Sequence, residues 1–242
     1  MSIQNLLLAS LSSESREFLT ARSTPVALPL RTVLYVANEM PTHAYFPTSG
    51  LASVVTSLPD GETAEVGFIG REGVVGAFHL IGPADVPTNC FMQMQGGGLK
   101  ISLSDLRAAF ESSEEIRDRV LEAVQEQALT IGQIAACNRL HEAEERLARW
   151  LLMARDRTQS NVLDITQEFL AEMLGARRTT VTMVAGALQR SGLIEYRRGR
   201  VKILDSENLE AAACECYKVT KHLYDGLYKD AAVVVSTNGD RR

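Results

Sequence analysis

Hydrophobic spacing changes twice along the chain. Between residues 2 and 21, Leu6, Leu7, Leu11, Phe18 and Leu19 predict a short helical lead-in. From Pro25 to about Leu103 short β-rich runs alternate with turn residues. They are Val33–Val36, Ala44–Phe46, Leu51–Leu58, Thr63–Ile69, Cys90–Met94 and Leu99–Ser102. Asp60-Gly61 is the strongest hairpin signal, and Gly96-Gly97-Gly98 reads as a strand turn. Many short strands closed by Gly and Pro predict a β-roll or jelly-roll domain.

Beyond Leu103 the period becomes helical. Ser104 is placed to cap a short helix through Phe110, and a longer helix is expected from about Glu114 to Asn138. Its apolar residues Ile116, Val120, Val124, Ile131 and Ile134, with Ala128 and Ala135 beside them, form a wide stripe. Such a stripe can bury against both the β-roll and a partner helix. A helix from Glu142 to Arg157 with Leu147, Trp150, Leu151 and Met153 opens a further domain, so the hinge falls near Cys137–His141. Residues 157–161 read as a polar connection.

The segment Ile165–Leu204 carries the most information. Thr166 can N-cap a helix whose apolar positions are Phe169, Leu170, Met173 and Leu174, and Gly175 follows where a helix stop tolerates positive φ. A second helical pattern (Val181, Val184, Ala185, Leu188) begins after a break short enough for a helix-turn-helix hinge. Period two then sets in around Arg197-Arg198-Gly199-Arg200, which predicts a β-hairpin with a basic tip. One further helix, capped by Ser206, is expected to run to about Lys229, packed on the helix-turn-helix segment or forming a contact with a second copy of the chain. Residues 230–242 read as a frayed tail.

Charge sharpens this picture. Gly175–Ile203 holds seven Lys/Arg and one acid in a chain of net charge −5. A basic island in an acidic protein calls for a local phosphate partner. With 242 residues, 45% hydrophobic and 23% charged, two globular domains are expected. The N-terminus lacks a basic region before its short apolar run, so no signal peptide or membrane span is expected and the cytoplasm is the anticipated location.

The run T-Q-E-F-L-A-E-M-L-G-A-R-R-T-T-V, followed by a helix and a short hairpin, resembles the winged helix-turn-helix of the CRP/FNR family (cyclic-AMP receptor protein and fumarate-nitrate reduction regulator). The resemblance is strong over residues 142–207 and continuous but weaker over the N-terminal half. It implies an α+β fold: a β-roll sensor domain (1–113), a dimerisation helix and hinge (114–140), a winged helix-turn-helix (141–207) and a helical extension (208–242). It also implies a homodimeric transcription regulator binding two-fold symmetric DNA, with RNA polymerase as a further partner. Arg178 occupies the family's R-x-T-V arginine position, suited to guanine. Arg177, Thr179, Thr180 and Thr182 are candidates for bases or phosphates, and Arg197, Arg198, Arg200 and Lys202 for the DNA backbone. Two departures imply a different operator: Thr179 replaces the family's glutamate, and Met183 replaces a later arginine.

Cyclic-nucleotide binders of this type hold the ribose with a glutamate and the phosphate with an arginine. By the resemblance, Ala77 stands at the first position and Thr88-Asn89 at the second, while Ile131-Gly132 offers no hydroxyl for a base. An unpaired buried anion is costly, so cyclic AMP is not expected in the usual mode and the effector is an unknown small molecule. The candidate effector pocket comprises Arg71, Gly73, Gly76, Ala77, Thr88, Asn89 and Ile131. Gly70–Gly76 could cradle an anion with Arg71, although a tight turn into a short helix fits it better.

Candidate metal chemistry is sparse in the sequence. None of Cys90, Cys137, Cys214 and Cys216 lies near the N-terminus, where iron–sulfur members of the family cluster theirs. C-x-C is not the usual metal pair, and Cys90 and Cys137 read as small buried apolar residues. His43, His79, His141 and His222 show neither H-x-H nor H-x3-H spacing, so no metal, cofactor or catalytic residue is expected. Three readings remain: a DNA-binding regulator switched by a ligand, one with a vestigial pocket, and a ligand-binding signalling module whose helix-turn-helix contacts only protein.

Overall fold

The computed structural model describes residues 5–57, 63–82 and 85–229. Asp60-Gly61 and the tail from residue 230 lie outside these. The lead-in is two helices, α1 (Leu6–Ser10) and α2 (Ser13–Ala21), because Ser12 accepts from the Ser15 amide and restarts the helix. Strands β1 (Ser23–Leu28), β2 (Val33–Tyr35), β3 (His43–Ser57), β4 (Thr63–Ile69) and β5 (Thr88–Ser102) form an antiparallel sheet ordered β1-β5-β3-β4, with β2 also on β5.

Two pairs of predicted runs are single long strands. The glycine triplet 96–98 is not a turn but the middle of β5, where it crosses β3. A Cβ on Gly96 would lie 2.1 Å from the Ser49 carbonyl oxygen, and one on Gly98 would lie 2.6 Å from that of Phe46. The register of β3 against β5 slips between Pro47 and Ala52. Both strands therefore bend and fold the sheet over its own core without a chain break.

Ser102, two residues before the expected cap, starts α3 (Leu103–Ser112) by accepting from the Asp105 amide at 3.0 Å. Helix α4 (Glu114–Leu140) buries Ile116, Val120, Val124 and Ile134 against its own chain, and Ile131 is half-buried beside Gly67. Its free face keeps Ala128 and Ala135 of the expected stripe and adds Leu121, Leu129, Gly132 and Ala136, all exposed.

After the His141 cap, α5 (Ala143–Thr158) starts with a reciprocal Glu142/Glu145 capping box. The connection after it contains a strand that the sequence pattern did not announce, β6 (Val162–Asp164). It joins β7 (Ile194–Arg197) and β8 (Arg200–Ile203) in a sheet ordered β6-β8-β7. Between them lie α6 (Gln167–Leu174) and α7 (Arg178–Arg190).

The extension is two helices rather than one. Helix α8 (Ser206–Ala212), capped by Asp205 instead of Ser206, stops at Ala213, and α9 (Cys216–Gly226) begins after Glu215. The extension packs on α5 with both helices and on α4 with α9. Tyr217 donates its hydroxyl to Asp156 Oδ2 at 2.8 Å and Tyr224 donates to the Asp156 carbonyl at 3.1 Å. Tyr228 reaches the β-roll and donates to the Glu72 carbonyl at 2.6 Å.

Candidate DNA interface

Thr166 Oγ1 accepts from the Phe169 amide at 3.2 Å and so fixes the start of α6. At its end Gly175 takes φ +54°, and the amides of Gly175 and Ala176 return to the carbonyls of Glu172 and Ala171. This closure leaves two residues before α7 and sets the sharp angle between the helices. Leu170, Met173 and Leu174 of α6 and Val181, Val184, Ala185 and Leu188 of α7 share one core with Trp150, Leu151 and Val201.

Packing that face turns the other outward. Arg177, Arg178, Thr179, Thr182 and Met183 are exposed along the first half of α7, and Thr180 is half-buried. The wing is a two-residue hairpin in which Arg198 (φ +52°) and Gly199 (φ +75°) both take left-handed backbone, the requirement of a type I′ turn. Val201 and Ile203 point into the core, so Arg197, Arg198, Arg200 and Lys202 face solvent. The Tyr196 amide donates to Gln189 Oε1 at 2.7 Å, joining the wing to the end of α7.

Two basic residues are already held by carboxylates. Arg178 Nη1 lies 2.9 Å from Glu168 Oε1, and Arg200 Nε lies 2.7 Å from Asp164 Oδ1. Sequence reasoning did not foresee these pairs. Glu168 is in the first turn of α6 and Asp164 is on the unforeseen strand, 10 and 36 residues from their arginines. Thr182 Oγ1 sits 3.0 Å from Gln167 Oε1.

A model described as "Crp-like helix-turn-helix domain" matches residues 145–212, and one described as "Cyclic nucleotide-binding domain" matches residues 25–113. The chain belongs to the CRP/FNR family. It is similar to the CRP-like cAMP-activated global transcriptional regulator of Mycobacterium tuberculosis, 23% identical over 202 residues, covering 81% of this chain and 90% of the relative. Among solved structures, a transcriptional regulator of the family from Eubacterium rectale superposes with a TM-score of 0.66 at 17% identity, covering 85% of this chain and 96% of that one. A CRP-family regulator from Thermus thermophilus gives 0.64 at 25% identity, covering 78% and 96%. This CRP/FNR chain is thus a DNA-binding transcription regulator. No helix among the described residues is long and apolar enough to cross a membrane.

The candidate effector residues are spread over the Gly70–Gly76 loop, the 3₁₀ turn after it, β5 and α4. Gly73 and Ala77 line a cavity of about 10 Å³ with Phe68, Glu72, Glu126 and Leu227. That volume holds about one water. Thr88 and Asn89 are used elsewhere: Tyr35 Oη lies 3.2 Å from Thr88 Oγ1, and Asn89 Oδ1 accepts from the Ala37 amide at 2.9 Å. Gly76 takes φ +99° to enter a four-residue 3₁₀ turn, and Ile131 covers Gly67. The Gly70–Gly76 loop supplies its own anion, since Glu72 Oε1 accepts from the Gly70 amide at 2.9 Å.

Behind the cavity the domains are tied by buried polar contacts. Arg157, on α5, reaches Glu72 at 3.0 Å and Glu126 on α4 at 3.1 Å. Trp150 Nε1 donates to Glu65 Oε1 at 2.9 Å and Ser53 donates to Glu65 Oε2 at 2.6 Å. Burial raises the Glu65 carboxyl to about 8, against these two hydrogen bonds and the Arg149 charge, which lower it. The proton it then holds at neutral pH sits on Oε2 and is donated to Ser53 Oγ, reversing that hydrogen bond.

Proposed function

We propose that the protein binds DNA as a homodimer, with two α7 helices entering successive major grooves about 34 Å apart, and that any effector is not cyclic AMP in its usual mode. The free apolar face of α4 supports the dimer, since Leu121, Leu129 and their small neighbours leave room for a second α4 against them. Arg178 at the start of α7 would read guanine O6 and N7. Its neighbours Arg177, Thr179, Thr180 and Thr182 would meet bases or phosphates. Arg197, Arg198, Arg200 and Lys202 would hold the backbone, and RNA polymerase would be the downstream partner.

The observation that carries the effector reading is the small volume and acidic lining of this cavity. Its polar lining includes two carboxylates, Glu72 and Glu126, whose shared cation Arg157 is already paired with both. A cyclic phosphate placed there would meet negative charge and would have to displace Leu227.

Selection of sites from a random DNA library tests this reading, with and without cyclic AMP and with Arg178→Ala. A two-fold symmetric motif, unchanged by cyclic AMP and relaxed at one symmetric base pair by Arg178→Ala, is the expected result. A motif that needs cyclic AMP sinks the effector reading. A folded chain with no salt-dependent DNA affinity under any condition would favour the protein-contact module instead.

A further inference from the structure

Four residues able to ligate a metal meet where α4 ends and the extension folds back on it. Cys137 is in the last turn of α4 and His141 is its cap, four residues on, so both lie on one helix face. Cys214 and Cys216 flank the break between α8 and α9. In an unbroken helix, residues two apart point about 200° away from each other. The break lets both sulfurs turn toward Cys137.

The distances suit a small ion. Cys137 Sγ is 3.4 Å from Cys214 Sγ, Cys216 Sγ is 3.5 Å from His141 Nδ1, and the four ligand atoms all lie within 4.8 Å of one another. A tetrahedral zinc with Zn–S of about 2.3 Å and Zn–N of about 2.0 Å spaces its ligands about 3.5–3.8 Å apart. An iron–sulfur cluster would interpose its own iron and sulfide atoms and spread the cysteines further. The three cysteines are buried free thiols, as zinc thiolates must be shielded to persist.

The surroundings point the same way. His141 Nε2 lies 3.2 Å from Glu215 Oε1, leaving Nδ1 facing the sulfurs. A carboxylate on the far nitrogen is the usual orienting partner of a metal-bound histidine. Gln133 Nε2 donates to Cys216 Sγ at 3.1 Å. Arg149 is only 2% exposed, donates through Nη1 to Met153 Sδ at 3.1 Å, leaves Nε without a hydrogen-bond partner, and belongs to no salt bridge among the described residues. Its charge bears on Cys137. An unpaired buried guanidinium is costly, and three thiolates with one divalent ion carry the net −1 that would balance it.

We propose that Cys137, His141, Cys214 and Cys216 bind one zinc ion, which ties the extension to the end of α4. With all four positions supplied by protein, the site is closed and structural rather than catalytic.

The test uses the full chain, reduced, stripped with chelator and titrated with zinc or cobalt. One zinc per chain by elemental analysis is expected, with cobalt giving thiolate charge-transfer and tetrahedral ligand-field bands. Glu215→Gln should weaken zinc binding about 10- to 100-fold. Cys214→Ser with Cys216→Ser should abolish the cobalt bands, whereas His141→Cys should keep a four-coordinate site. Circular dichroism confirms that each variant is folded. The proposal is overturned by a folded, reduced wild-type chain that binds neither metal. Equal zinc binding by the double-serine variant also overturns it, as does recovery of iron with labile sulfide in place of zinc.

Discussion

Arg157 Nε and Glu72 Oε1 stand 3.0 Å apart, joining residues 85 positions distant in sequence, and both side chains are at most 4% exposed. Through Nη2 the same guanidinium holds Glu126. The β-roll, the long helix α4 and the helix-turn-helix domain thus share one buried charge. Arg157→Met leaves two carboxylates without their cation, and breaking a buried pair costs about 3–5 kcal/mol. The urea midpoint should fall accordingly. Arg157→Lys should recover only part of the loss, since a point ammonium cannot serve both carboxylates as the planar fork does.

Glu65 predicts a pH dependence. Its carboxyl titrates near 8 in the folded chain, against an ordinary 4.5. Between those values the native state holds a proton that the unfolded chain has lost. The stabilisation is therefore complete below about pH 4.5 and is lost as pH rises through about 8, by an amount on the order of a few kcal/mol. Glu65→Gln keeps an acceptor for Trp150 and offers a donor to Ser53 without titrating. Urea midpoints measured from pH 5 to 8 should fall more for wild type than for this variant, and parallel curves would refute the assignment.

If Arg178 contacts DNA as proposed, its ion pair with Glu168 must open first. Glu168→Ala should tighten binding at low salt by about two- to five-fold, the range an exposed pair is worth. The gain should shrink as salt rises. Fluorescence anisotropy with a selected site measures both, and unchanged affinity at low salt would mean that Arg178 does not leave Glu168 on binding.

The free face of α4 predicts its own disruption. Leu129→Asp with Ala136→Asp changes exposed residues only, so the fold should persist while light scattering reports a monomer. Affinity for a two-half-site operator should then fall much further than affinity for a single half-site.

Glycine at position 96 should be irreplaceable. The 2.1 Å approach of a Cβ to the Ser49 carbonyl is backbone against backbone, with nothing flexible to yield. Gly96→Ala should cost about 1–3 kcal/mol or more. Gly82→Ala meets nothing within 4 Å and should be nearly neutral. Thermal melts of the two variants make the comparison.

Local chemistry was legible in the sequence where it is made by neighbours. Thr166, Gly175 and the Arg198-Gly199 turn each act within a few residues, and the helix-turn-helix and wing follow from them. Contacts closed by tertiary structure were not legible. Strand β6 is three residues long and exists only because β8 offers an edge. The glycine triplet mimics a turn because the close approach of β3 is invisible locally. The apolar stripe on α4, read as serving both the β-roll and a partner helix, buries its large residues against its own chain, and only Ala128 and Ala135 of it reach the exposed seam. Cys137 with His141 and Cys214 with Cys216 are separated by more than seventy residues, and C-x-C gives no hint that a helix breaks there.

Tyr228 has a consequence for the order in which the molecule can be made. Its partners Glu122 and Glu72 precede it by 106 and 156 residues. At about 5–20 residues per second of synthesis, the β-roll waits about 5–30 s for the segment that closes it. During that interval the Glu72 carbonyl lacks its Tyr228 partner, and a chain terminated before this segment would carry a β-roll without its latch.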